Sequence, residues 1–87
     1  ARVGATPEAI SALGRAVEEL ERSATGSTDV NLTRKLAAAQ SQLGSLLEQA
    51  GRHEPAQKAI QRAYDIRRHL MEQHPGQPAL ALDYADS

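Results

Sequence analysis

Apolar residues recur every three or four positions through three long segments of this sequence, which is the spacing of one face of an α-helix. In the first segment they are Ala9, Ala12, Leu13, Ala16, Val17 and Leu20. In the second they are Leu32, Leu36, Ala39, Leu43, Leu46, Leu47 and Ala50, and in the third Ala56, Ala59, Ile60, Ala63 and Ile66. The pattern predicts an all-α fold of antiparallel helices.

Residues typical of helix ends predict where the first helix begins and ends and where the second helix begins. Thr6 suits the N-cap of the first helix and Pro7 its first position, because Pro has no backbone N–H to leave unpaired there. This helix should end near Ser23, before a loop rich in small polar residues. Thr28 or Asp29 is expected to cap the second helix.

Glycine and proline divide the rest of the chain into a third and a fourth helix. Gly51 supplies the left-handed residue that ends the second helix. The third helix is predicted from about Glu54 to Gln73, and the break at residues 74–77 is followed by Pro78, which fits the start of a fourth helix. The apolar stripe predicted for that helix is Ala79, Leu82 and Ala85.

The first and third segments share a pattern at a fixed separation. Ala9, Ala12, Leu13, Arg15 and Ala16 match Ala56, Ala59, Ile60, Arg62 and Ala63, each 47 positions further along. A repeated helical segment and two helices joined by a tight glycine turn are typical of helical repeat proteins.

The unit formed by the second and third helices resembles a tetratricopeptide repeat, in the longer form found in kinesin light chains. The matching residues are Leu43, Gly44, Leu46, Leu47, Gly51, Ala56, Ile60, Ala63 and Ile66, with His74-Pro75-Gly76-Gln77-Pro78 at the place of the linker. Gln40 and Leu47 depart from the large aromatic or aliphatic residues usual in the family, and there is no Trp or Phe. The resemblance implies a TPR-like α-solenoid fragment of about four helices, with half-repeats at about 6–24 and 78–87 and a full repeat at about 29–74.

The resemblance also implies that the first helix of each repeat lines a concave groove for a partner. Here the residues of that groove would be Asn31, Arg34, Ala38, Ser41, Ser45, Glu48 and Gln49. Small side chains would leave room for a bound segment, and the polar ones would contact it. The alternative interpretation of the same stripe is an ordinary solvated face.

The expected function is therefore that of a protein–protein interaction module, which binds a partner protein, a peptide or another domain of its parent protein. The alternative is a self-association module, in which the stripe on the fourth helix pairs with a second copy to form a homo-oligomer. The chain has no initiator Met, and its Arg and Ala content is typical of a GC-rich bacterial genome. We expect a fragment of a cytoplasmic, bacterial regulatory protein.

Composition and charge argue against other classes of function. The net charge of −1 gives no footprint for nucleic acid or an anionic membrane, and the absence of Cys excludes thiolate chemistry. The three histidines, His53, His69 and His74, have no spacing typical of metal ligands, and no serine lies in a nucleophile motif. We expect no enzyme activity, no catalytic residue, no metal and no cofactor.

Overall fold

The structure is a computed structural model that describes residues 6–86, apart from the side chains at positions 81, 83, 85 and 86. It contains four helices: α1 (Pro7–Ala24), α2 (Val30–Gln49), α3 (His53–Gln73) and α4 (Pro78–Asp86). Residues 6–86 contain no β-strand. The all-α prediction of about four helices is confirmed.

The helix ends follow the predicted capping chemistry. The Thr6 hydroxyl accepts a hydrogen bond from the backbone N–H of Ala9 at 3.1 Å. Of the two candidates for the second cap, Asp29 is the one used, since its carboxylate accepts from the N–H groups of Asn31 at 3.0 Å and Leu32 at 3.4 Å. Gly51, at φ 81°, turns the chain between α2 and α3 in a conformation that other residues rarely adopt.

Each helix packs on its neighbour in sequence, α1 on α2, α2 on α3 and α3 on α4. This order makes α2 a central helix that is buried along two sides. On one side Leu36 and Ala39 cluster with Val17 of α1. The other buried residues of α2 recur in steps of three and four, and they are Ala37, Gln40, Gly44 and Leu47. Of these, Gly44 lies against α3, and Gln40 donates a hydrogen bond to Glu21 of α1 at 3.4 Å.

Gly44 marks the closest approach between α2 and α3. A Cβ added to Gly44 would lie 2.6 Å from Cγ1 of Ile60 and 3.2 Å from the backbone oxygen of Ala56. A Cβ is not found that close to another atom, so a larger residue at position 44 would require Ile60 to move or the two helices to separate. Small residues such as Gly44 and Ala63 in this helix pair predict close packing, and the contact of Gly44 with α3 and the 1% exposure of Ala63 agree with that prediction.

Three details differ from the sequence expectations. In α4 the buried side chain is Leu80, whereas Ala79 and Leu82 of the predicted stripe are exposed and the side chain of Ala85 lies outside the described residues. Ile60 is 43% exposed, because it packs beside Gly44 at the edge of the helix pair. Glu21 ends an acidic run with Glu18 and Glu19, for which the sequence predicts a solvated face, yet it is half-buried and contacts both α2 and α3.

Candidate functional site

The side of α2 that neither α1 nor α3 covers is the candidate site, and we call it the α2 free face. It carries all seven residues of the predicted groove: Asn31, Arg34, Ala38, Ser41, Ser45, Glu48 and Gln49. Arg34 and Ser41 are half-buried, and the other five are exposed. The predicted residues therefore do lie together on one accessible surface.

The periodicity of the helix explains why these residues share a face. Each residue of an α-helix is rotated by about 100° from the one before, so steps of three and four return to the same side. Leu36 and Ala39 point toward α1, while Ala37 and Gly44 point toward α3. Ala38 and Ser45 have the remaining direction, which leads to solvent.

One residue that the sequence did not assign to the face comes from α3. The guanidinium of Arg67 donates a hydrogen bond from Nη1 to Oγ of Ser41 at 3.1 Å. In the sequence, Arg67 belongs to a basic series along α3 with Lys58, Arg62 and Arg68. The structure separates that series, since Arg62 reaches Glu21 of α1 at 3.3 Å while Arg67 reaches α2.

The bond between Arg67 and Ser41 divides the α2 free face into two depressions. The first, of about 430 Å³, lies toward the start of α2 and is open to solvent. Its lining residues are Asn31, Arg34, Lys35, Ala38 and Arg67. We call it the basic depression, because three of its five lining residues are cationic and none is acidic.

The second depression, of about 400 Å³, lies toward the end of α2 and extends to α1. Its lining residues are Leu13, Ser41, Gln42, Ser45 and Leu46. The half-buried Leu13 and Leu46 provide apolar surface between small hydroxyl side chains, and none of the lining residues is charged. We call it the apolar depression.

The far end of the α2 free face is occupied by a contact with the next turn of the chain. Nδ1 of His53 lies 2.6 Å from Oε1 of Glu48, and both side chains are substantially exposed. Glu48 therefore interacts with the start of α3 and is a less accessible contact for a partner than the sequence suggested. Gln49, beside it, is exposed.

The α2 free face is open and is not enclosed by a second helix. Over the described residues α4 packs against α3 and makes no close approach to α2. A bound segment would thus contact α2, with Arg67 on one side and Leu13 on the other. A partner segment could contact this face along the length of α2, but the face has no enclosed cavity that would exclude water.

Among the side chains that the structure describes, no group of three from His, Cys, Asp and Glu could hold a metal ion. His53 contacts Glu48, His69 is exposed and His74 is half-buried at the end of α3. None of the helices in this part of the chain is both long enough and apolar enough to cross a membrane.

No protein-family model, curated protein or solved structure is similar enough to this chain to count as a match.

Proposed function

We propose that the protein is a TPR-like interaction module that binds a partner protein or peptide along the α2 free face. The proposal is of a binding scaffold and not of an enzyme. The partner is a separate protein or another domain of the parent protein. The bacterial, cytoplasmic and regulatory setting stays a prediction from the sequence.

One observation carries this proposal: the two inner sides of α2 are used for packing, and the third combines small residues with accessible polar ones. Ala38 and Ser45 leave the backbone of α2 approachable, and the two depressions flank them. A surface that lies outside the core and has depressions is suited to binding a partner.

Self-association is the second candidate, and the exposure of α4 favours it. Leu82 is 66% exposed, and Ala79 beside it is exposed as well. A second copy that covered these residues would remove apolar surface from water.

A pair of variants separates the two candidates. Random dodecapeptides displayed on phage would be selected on the 87-residue protein and then tested on the double variant Ser41→Arg, Ser45→Arg. We expect the selected peptides to lose binding, because two long side chains would fill both sides of the α2 free face. Ser45 is exposed, and Ser41 is half-buried outside the core, so the fold should be kept with a loss of about 0.5–1.5 kcal/mol for the hydrogen bond between Ser41 and Arg67.

Leu82→Glu is the matched control on α4. If the α2 free face is the binding surface, this variant keeps the selected peptides, and light scattering gives the same mass for both proteins. Peptides that bind the Ser41/Ser45 double variant as well as the wild type would contradict the proposal. A wild-type oligomer that Leu82→Glu dissociates would support self-association instead.

A further inference from the structure

We infer that the surface of α3 beneath α4 is a docking site for the α4 helix of a second copy of this chain, so that two copies swap their fourth helices. The inference goes beyond the proposed function, because it concerns α3 and α4 and does not involve the α2 free face. The swap needs no new surface, since each copy supplies a helix that fits the other.

The contacts between α3 and α4 define the helix that this surface accepts. Leu80 is 1% exposed, and Tyr84, one helical turn further along, lies against Tyr64 with the ring centroids 4.9 Å apart and the hydroxyl oxygens 2.6 Å apart. Tyr84 is also within electrostatic range of Arg68 and Glu72, which continue the same side of α3 in steps of four. The surface therefore selects a short helix with Leu and Tyr four positions apart.

α4 has a single neighbour among the described helices, and that neighbour is α3. The connection at residues 74–77 adds turn hydrogen bonds, from the N–H of Gln77 to the oxygen of His74 at 3.1 Å and from the N–H of Leu80 to the oxygen of Gln77 at 3.1 Å. A helix that packs on one neighbour makes the same contacts on the identical helix of a second copy, which is the basis of domain swapping.

The connection between α3 and α4 has the residues that an extended hinge requires. Residues 75–77 are exposed, and a Cβ added to Gly76 would meet no atom within 4 Å. Pro75 disfavours the helical conformation at His74, which keeps α3 and α4 from joining in one helix. Because Gly76 adopts extended and turned conformations alike, the connection can direct α4 along its own α3 or toward a second copy.

The effective concentration of α4 determines when the swap competes with the monomer. A helix on a short linker docks on its own chain at an effective concentration in the millimolar range. The swap replaces two such contacts by two identical ones, so the strength of the contact cancels. The swapped dimer of the wild type should therefore become the main species only near millimolar protein concentration.

Two variants with complementary defects test the swap in the full chain. Tyr64→Ala damages the docking surface and keeps α4, whereas Leu80→Glu damages α4 and keeps the surface. Each variant alone should form at least about tenfold less dimer than the wild type, because every possible junction has a defect. An equimolar mixture should dimerise about tenfold more tightly than the wild type, since neither copy must first break a sound contact within its own chain.

Light scattering over a concentration series measures the dimer, and native mass spectrometry identifies the mixed dimer because the two variants differ in mass. Circular dichroism should show that both variants keep the helices α1 to α3. Tyr84→Ala is a second, milder defect in α4, and it should behave like Leu80→Glu in the mixture. Leu82→Glu is the matched control, because it adds the same charge on an exposed part of α4, and it should keep the wild-type dimer fraction within about twofold.

The results distinguish the swap from other kinds of association. A mixture of Tyr64→Ala with Leu80→Glu, or with Tyr84→Ala, that stays monomeric would overturn the inference. A wild-type dimer that Leu82→Glu dissociates would also overturn it, because that dimer would form through the exposed side of α4. Peptide binding by the α2 free face is independent of these outcomes, since its variants lie at Ser41 and Ser45.

Discussion

Helices α1 and α3 have the same pattern of residues but bury different parts of it. Ala59 and Ala63 of α3 are buried, whereas Ala12 and Ala16, their counterparts in α1, are exposed. The reason is the neighbour, because α3 lies against α2 on this side and no described helix covers the same side of α1. Small residues at helical spacing therefore allow close packing, but they are buried only where another helix lies against them.

On another side, α1 and α3 each pack against the helix that follows them in the sequence. Val17 of α1 clusters with Leu36 of α2, the helix that follows it. Tyr64 occupies the position of α3 that corresponds to Val17, and it contacts Tyr84 of α4, which again is the following helix. The two segments thus share a sequence pattern, and their corresponding residues Val17 and Tyr64 both contact the next helix along the chain.

The largest expected effect is at Gly44, which lies against α3, and Gly14 of α1, which lies against no other helix, provides the contrast. Gly44→Leu should lower the free energy of unfolding by about 3 kcal/mol, since even a Cβ would collide with Ile60. Gly14→Ala in α1 should raise it by about 0.5–1 kcal/mol, because a Cβ there meets no atom within 4 Å and alanine favours the helix. Urea denaturation followed by circular dichroism measures both. A Gly44→Leu protein as stable as the wild type would mean that α2 and α3 do not approach closely here.

A matched pair of alanines tests the comparison directly. Ala63→Leu should cost about 1–3 kcal/mol, because the added atoms have no space in a site that is 1% exposed. Ala16→Leu, at the corresponding position of α1, should change stability by less than about 0.5 kcal/mol. The two melting temperatures, measured side by side, should differ in that order. Equal losses would mean that the alanine face of α1 is covered in solution.

The smallest effect is expected from the corresponding arginines. Arg62 pairs with Glu21 of α1 at 3.3 Å, and Arg15 makes no ion pair with any described residue. Both groups of the pair are more than a third exposed, so Arg62→Gln should cost under about 1 kcal/mol and less at high salt. Arg15→Gln should be neutral within error. If Arg15→Gln lowered the free energy of unfolding as much as Arg62→Gln, the ion pair with Glu21 would not explain the difference between the two arginines.

The local parts of the fold could be predicted from sequence because local chemistry determines them. Thr6, Asp29 and Gly51 act within a few residues of themselves, and the three long helices contain enough turns for their periodicity to define a face. The short helix α4 does not. Residues 79–82 alternate Ala and Leu, and with so few turns either set could have faced α3.

Other features depend on neighbours that the sequence does not specify. A single apolar stripe was expected on α2, but a helix between two others is buried on two sides, which includes Ala37 and Gln40. The α2 free face was identified because its residues share a helical period. Arg67 was missed as a member of that face, since a long side chain on another helix reaches it only through the tertiary packing.

The attachment of α4 has a consequence for the order in which the molecule opens. Among its described side chains only Leu80 is buried, and the remaining contact is the pair of Tyr64 and Tyr84, whose rings lie 4.9 Å apart and whose hydroxyls lie 2.6 Å apart. Helices held by few buried groups open locally at lower free energy than the rest of a domain. The amides of α4 should therefore exchange with deuterium before those of α2 and α3.

The hydroxyl contact also makes this opening sensitive to alkaline conditions. The hydrogen bond with Tyr64 raises the pKa of Tyr84 above its usual value near 10, so the folded state holds the proton more tightly than the unfolded state does. The resulting stabilisation is fully present below about pH 10 and is lost as the pH rises through the raised pKa. Exchange of the α4 amides should then accelerate beyond the intrinsic effect of base, while the core between α2 and α3 keeps its protection.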